Sequence, residues 1–278
     1  MSGVKLLERF AQLASRSQIV RFDELSIPFA AVATDLETGE KVVLRTGSLA
    51  SAMRASMAIP ALFDPWPLGG KLLVDGGLVS NLPVETAKEL FPGYPVIAVD
   101  VSGTLKNRKD IRSLVDVIDQ SLTIFTRRNV ENEIMKADLV ISPPVAGVPI
   151  FDLTHASRII EGGRQATMDR MAAIRNLADN APPVAQREAL CIAASVAAIR
   201  VEGATPDLEQ RIQKRYRSWI GKPLSNINMV RASREIAGQE DVLAVDYRFE
   251  EAGENLDVIF VVQRNPELEI NFGGYTTN

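Results

Sequence analysis

The chain has 278 residues, with 46% hydrophobic and 24% charged side chains, the balance of an ordinary folded protein. The net charge of -4 gives no case for nucleic acid, and the lone cysteine, Cys191, excludes an internal disulfide framework and a multi-cysteine metal site. The length allows one large or two smaller domains.

The predicted elements follow in chain order. Lys5, Glu8 and Arg9 interrupt the apolar residues of Met1 to Leu13, so no signal peptide is read there. Leu6, Leu7, Phe10 and Leu13 recur at helical spacing and predict a surface helix. Pro28 to Leu36 and Lys41 to Arg45 read as strands joined by the turn residues Thr38 and Gly39. Ser48 to Ile59 reads as a helix with Ser48 as N-cap and Pro60 as stop. Pro83 to Leu90 is a further helix. Pro95 to Val101 is a near-continuous apolar strand, the pattern of a strand covered on both faces. Asp110 to about Lys136 is a long helix with Ile111, Leu114, Val115, Ile118, Leu122 and Phe125 on one face. Asp138 to Ser142 is another buried strand, and Ala156 to Leu177 a helix interrupted by Gly162 and Gly163. Strands alternating with helices predict an α/β fold with a mainly parallel sheet.

Asp179-Asn180-Ala181-Pro182-Pro183 reads as a domain boundary. Beyond it come a strand over Ile199 to Glu202, a helix over Pro206 to Ile220 facing Leu208, Ile212, Tyr216 and Trp219, and a helix over Leu224 to Ala237. Leu243, Val245, Tyr247 and Phe249 alternate with Ala244, Asp246 and Arg248, which predicts a strand with one wet face. Gly253 turns the chain into a partner strand over Leu256 to Val262. The longest apolar run, Ala189 to Ile199, is too short to span a bilayer as a helix.

The chemistry centres on Leu73-Val74-Asp75-Gly76-Gly77-Leu78-Val79-Ser80-Asn81-Leu82-Pro83. Asp75 stands where a strand ends. Gly76 and Gly77 remove two β-carbons, so the backbone can turn and pass close to another group. A carboxylate on a tight strand-to-helix turn is a usual place for catalysis in an α/β fold, and an Asp capping its own turn is the other reading. Asp35 and Asp100 also end strands but lack paired glycines, and read as caps or turn residues. His155, the only histidine, opens a helix beside Thr154, a capping or surface place. Ser56 is explained by packing. Gly162-Gly163 lacks the spacing of a phosphate loop.

Four motifs stand in order over the first third of the chain: Ile27 to Leu36, Gly47-Ser48-Leu49-Ala50 with Arg54 to Phe63, the Asp75-Gly76-Gly77 stretch, and Val96 to Ser102. Their order closely resembles the patatin-like phospholipase family. The resemblance implies a three-layer fold, hydrolysis of lipid or other carboxylic esters without metal or cofactor, and Asp75 as the base of a Ser-Asp dyad. The family's nucleophile sits in a Gly-x-Ser-x-Gly elbow, which is absent from this sequence, and Gly47-Ser48 lacks the second glycine. The expectation is that the nucleophile lies upstream, that the N-terminal part of the fold is missing, and that this chain alone is inactive. A free Asp is a weak base at about pKa 3.9, so burial would have to raise it.

The strand-helix-helix-strand-strand order after the boundary resembles a POTRA domain, a small α+β module. Leu268 to Tyr275 resembles the entry to a first barrel strand. The resemblance as a whole is to patatin–POTRA–barrel outer-membrane proteins of Gram-negative bacteria. It implies residues 1–180 as the patatin part, 181–195 as linker, 196–265 as the POTRA-like domain and 266–278 as the start of an absent barrel. It also implies a periplasmic or outer-membrane location and contact with a membrane surface. The alternative reading is a non-catalytic patatin remnant acting as a periplasmic binding module that adds a strand at its sheet edge.

Overall fold

The computed structural model describes residues 6–7, 9–10, 21–145, 156–183, 195–223, 226–239, 241–253 and 255–264. Strands β1 (Ala31–Asp35), β2 (Lys41–Leu44), β3 (Trp66–Leu68) and β4 (Lys71–Asp75) form a sheet of order β2-β1-β4-β3. All five residues of β1 are buried, so both faces of this inner strand are covered. Every pairing in the sheet is antiparallel. This corrects the expectation of a mainly parallel sheet. Tight turns are the cause. Gly69 and Gly70, at φ of 61° and 77°, reverse the chain between β3 and β4 in two residues. The β1–β2 turn is closed by Gly39 N–H donating to the Asp35 carbonyl at 2.8 Å.

Parallel pairing is confined, among the described residues of this part, to β5 (Ile97–Val99) and β6 (Leu139–Ile141). A long crossover helix joins them, as parallel pairing requires. β5 is not covered on both faces: Ala98 is buried, while Ile97, Val99 and Val101 are exposed.

Helix α1 (Leu49–Ser56) starts where expected, with the Ser48 hydroxyl accepting from Ser51 N–H at 3.1 Å. Ala50, Ala52 and Ala55 are fully buried along it. Such small residues let a helix lie close to its neighbours. Arg54 is also fully buried. Its guanidinium sits 5.1 Å from the ring centres of both Phe63 and Trp66, and Nη2 donates to the Asp64 carbonyl. Arg54 thereby pins the loop that leads into β3.

The short helix α2 (Gly77–Ser80) and α3 (Val84–Leu90) follow β4. Helix α4 (Leu114–Ile134) begins at a capping box of Ser113 and Asp116, after a 3₁₀ turn at Arg108–Asp110. The expected apolar face of α4 is only partly used. Ile118 and Leu122 are half-buried and Val130 is buried, but Leu114 and Phe125 point to solvent. Helix α5 (Ala156–Asp169) runs through Gly162 and Gly163 without interruption, and the break comes instead at Arg170, before α6 (Met171–Asp179). A β-carbon at Gly162 would lie 3.1 Å from the Pro144 ring, so the glycine there serves close packing. His155, Cys191, most of residues 181–195 and all of 266–278 lie outside the described residues.

The C-terminal part has β7 (Val196–Glu202), α7 (Pro206–Tyr216), α8 (Asn226–Ala237), β8 (Val242–Ala252) and β9 (Asn255–Arg264) in a β7-β9-β8 sheet. β7 and β9 are parallel, β8 and β9 antiparallel. Leu208, Ile212 and Tyr216 of α7 are buried against Met229 and Ile236 of α8 and Val245, Tyr247, Phe249, Val258 and Phe260 of the sheet. That core extends into the first part of the chain through Ala50 of α1 and the half-buried Trp66 of β3.

The outward face of β8 is therefore not wet throughout. Asp246 is 7% exposed, and its Oδ1 accepts from the Ser51 hydroxyl of α1 at 2.8 Å. Burial pushes the Asp246 carboxyl up to about 7. A folded-state pKa above the unfolded one means that the folded chain holds the extra proton. This group's contribution is complete below about pH 4 and is lost as pH rises towards 7. Asp246→Asn should accordingly raise Tm at pH 8, with the advantage shrinking as pH falls towards 4. Melting curves across that range check it, and a Tm gain independent of pH would show that Asp246 is ionised throughout.

Candidate active site

Asp75 ends β4, one residue before the turn into α2. Its backbone is held on three sides. Asp75 N–H donates to the Ala58 carbonyl at 3.0 Å, the Thr34 hydroxyl donates to the Asp75 carbonyl at 2.9 Å, and the residue pairs with Ala33 across β1. The carboxylate is held by one oxygen: Oδ1 accepts from Gly77 N–H at 2.7 Å. Among the described residues no donor reaches Oδ2. Burial raises the carboxyl above the ordinary carboxylate range, against the smaller lowering effect of the Gly77 N–H.

The two glycines do what their sequence suggested, by different contacts. A β-carbon at Gly76 would lie 2.2 Å from the Val32 carbonyl oxygen of β1. One at Gly77 would lie 2.7 Å from Asn81 Oδ1 and 3.0 Å from Asp75 Oδ1. The first glycine lets the turn press against the central sheet. The second leaves room for the carboxylate itself.

Asp75 lies between two clefts. One, of 560 Å³, has Leu78, Leu82, Val99, Val101, Leu122 and Ile160 among its walls and Asn81, Ser102, Thr126 and Arg127 among its polar groups. The other, of 480 Å³, is lined by Phe29, Val32, Met53, Met57 and Pro83. Among the described residues, only Asp75, Gly77 and Asn81 border both. The carboxyl is thus reachable from an apolar channel on one side and from the β1–α1 face on the other.

The rival carboxylates have partners of their own, although Asp100 also borders the 560 Å³ cleft. Asp35 binds Lys71 Nζ at 2.6 Å and accepts from Glu37 N–H, and Asp100 accepts from Ser102 N–H at 2.9 Å. Both act as turn caps, as the sequence suggested. The Ser56 hydroxyl donates to the Val32 carbonyl at 2.7 Å, which is a packing role. Thr34 and Ala58, which fix the backbone of Asp75, stand within two of the quoted motifs, but their part follows from pairings that only the fold reveals. Among the described residues no three His, Cys, Asp or Glu side chains gather as a metal site.

Residues 4–88 match the family model of the patatin-like phospholipases. Those residues, under a third of the chain, are its patatin-like part. An uncharacterized NTE family protein of Mycobacterium tuberculosis is 46% identical over 65 residues, which are 23% of this chain and 18% of that protein. Another from the same species is 29% identical over 162 residues, covering 50% of this chain and 28% of its own length. The patatin-like phospholipase domain-containing protein 7 of Mus musculus is 31% identical over 111 residues, covering 39% and 8%. The chain thus spans less than a third of the curated relatives it matches. The patatin-like stretch ends within α3, so the motif Asp75-Gly76-Gly77 falls inside it and β5 onward falls beyond it.

Proposed function

We propose that this chain is the base-bearing part of a patatin-like lipid acyl hydrolase, with Asp75 as general base of a Ser-Asp dyad and the nucleophilic serine upstream of these residues. The observation that carries the reading is the unequal use of the Asp75 carboxylate. Gly77 fixes Oδ1, while among the described residues no donor reaches Oδ2, which stands beside a partly apolar cleft.

In this scheme the serine hydroxyl passes its proton to Asp75 Oδ2 as its oxygen attacks the ester carbonyl. The proton then goes to the departing alcohol, and water cleaves the acyl-enzyme by the same route in reverse. The raised carboxyl is a stronger base than a free Asp, and its fixed position supplies much of the remaining effect. Acyl chains lie along Leu78, Val99, Val101, Leu122 and Ile160.

The test uses two proteins. The chain as it stands should not hydrolyse a short-chain chromogenic ester, because it holds no Gly-x-Ser-x-Gly elbow. A longer protein that adds an in-frame Gly-x-Ser-x-Gly segment upstream should. Turnover by the present chain that Asp75→Ala abolishes would overturn the placement of the serine.

A second reading is a POTRA-like binding module. The β7-β9-β8 order, in which β8 pairs only β9 among the described residues, favours it. An upstream-extended protein that folds but never turns over would support this reading against the first.

A further inference from the structure

Helix α4 carries an apolar stripe that nothing among the described residues covers. Leu114, Val117, Ile124 and Phe125 are 74%, 48%, 57% and 62% exposed. With Ser121 and Arg128, also exposed, they recur every three or four residues, so they occupy one side of the helix. Four large apolar side chains in a row are more than a solvated helix face ordinarily shows.

The charge around the stripe is opposite to that of the chain. The whole protein is net acidic at -4, yet residues 106–128 hold six Lys and Arg against three Asp. Arg108, Lys109 and Arg112 are exposed just before the helix, and Arg128 is exposed on the stripe's far end. Of the acids, Asp116 is already engaged by Lys106 Nζ at 2.9 Å and by the Ser113 hydroxyl. An apolar strip bordered by cations is the profile of a helix that lies in the headgroup layer of an anionic bilayer. Another side of the same helix, through Leu122, Thr123, Thr126 and Arg127, walls the cleft that holds Asp75.

We infer that α4 docks this protein on an anionic lipid surface, through Leu114, Val117, Ile124 and Phe125 inserted among the headgroups and Arg108, Lys109, Arg112 and Arg128 on the phosphates. The cleft that holds Asp75 lies along the other side of the same helix. The choice of partner rests on the lipid-ester reading of that cleft.

Co-sedimentation of the whole 278-residue chain with vesicles tests it without turnover, so it can fail independently of the hydrolytic reading. Vesicles of phosphatidylglycerol and phosphatidylcholine in equal parts should bind the chain, and phosphatidylcholine alone should bind it about tenfold less. Raising salt from about 0.05 to about 0.5 M should weaken the anionic binding severalfold, since surface charges are screened. Leu114→Ser with Phe125→Ser should lower binding to both vesicle types about tenfold or more. Arg108→Gln, Lys109→Gln and Arg112→Gln together should remove most of the anionic preference. These are exposed positions, and near-UV circular dichroism confirms that each variant is folded. Absence of binding to anionic vesicles, or equal binding by the Ser double variant, overturns the inference. A concentration-dependent dimer that the same double variant splits would also overturn it, and would assign the stripe to a second copy of the chain.

Discussion

Asp75→Asn should lower hydrolysis by about 10²- to 10⁴-fold or more in the protein that supplies the serine, while the fold survives. The amide keeps the size of the carboxylate and can still accept the Gly77 N–H through its oxygen. Its nitrogen cannot take the serine proton. The acid limb of kcat/KM should also lie above the ordinary carboxylate range of about 4, because burial raises Asp75 and the ionised form is the one that works. Asp35→Asn and Asp100→Asn are the comparisons. The first gives up an ion pair to Lys71 and the second keeps an amide oxygen for Ser102 N–H, so turnover per folded molecule should stay nearly unchanged in both. The measurement is turnover normalised by near-UV circular dichroism and by Tm. If Asp35→Asn or Asp100→Asn loses activity while Asp75→Asn keeps it, the base is another carboxylate.

Why the sequence shows the site better than the sheet around it can be stated in physical terms. The Asp75-Gly76-Gly77 turn is local. Its strand, its glycines and the helix over Val84–Leu90 are set by neighbours in the chain, and the structure places them where the pattern predicts, with the unpredicted short helix Gly77–Ser80 in between. Sheet direction depends on partners. β3 contains Pro67, which reads as a strand breaker, yet Pro is tolerated on an edge strand and β3 is the edge. Without β3, the Gly69-Gly70 hairpin goes unseen and β4 reads as a parallel strand. Apolar runs mislead in the other direction. Val99, Val101, Leu114 and Phe125 look like core in the sequence and are exposed in the described fold. Asp246 is the converse. Alternation along β8 assigns it to solvent, and the cover that buries it, Ser51, lies 195 positions away in the chain.

Gly76→Ala should destabilise the protein far more than Gly77→Ala, although the two glycines are adjacent. The backbone at Gly76 is ordinary, with φ of -64° and ψ of -20°, so alanine meets no conformational penalty there. The obstacle is space. Its methyl would lie 2.2 Å from the Val32 carbonyl oxygen and 2.6 Å from the carbonyl carbon. Val32 cannot retreat cheaply. It is paired with Val43 in the sheet, and its carbonyl oxygen already accepts from the Ser56 hydroxyl at 2.7 Å. Overpacking against fixed backbone costs about 1–3 kcal/mol, and here the upper end applies. In a chain of this size that corresponds to a Tm lower by roughly 5 °C or more. At Gly77 the nearest atom is the end of the Asn81 side chain, which can rotate away, so Tm should fall little. The next atom is Asp75 Oδ1, so the same methyl displaces the carboxylate. Gly77→Ala should therefore be folded and poorly active once the serine is supplied, and Gly76→Ala poorly folded with or without it. Thermal melts of both variants decide the matter: equal Tm values would show that β1 gives way at Val32, and that the turn at Asp75 is not held by the sheet.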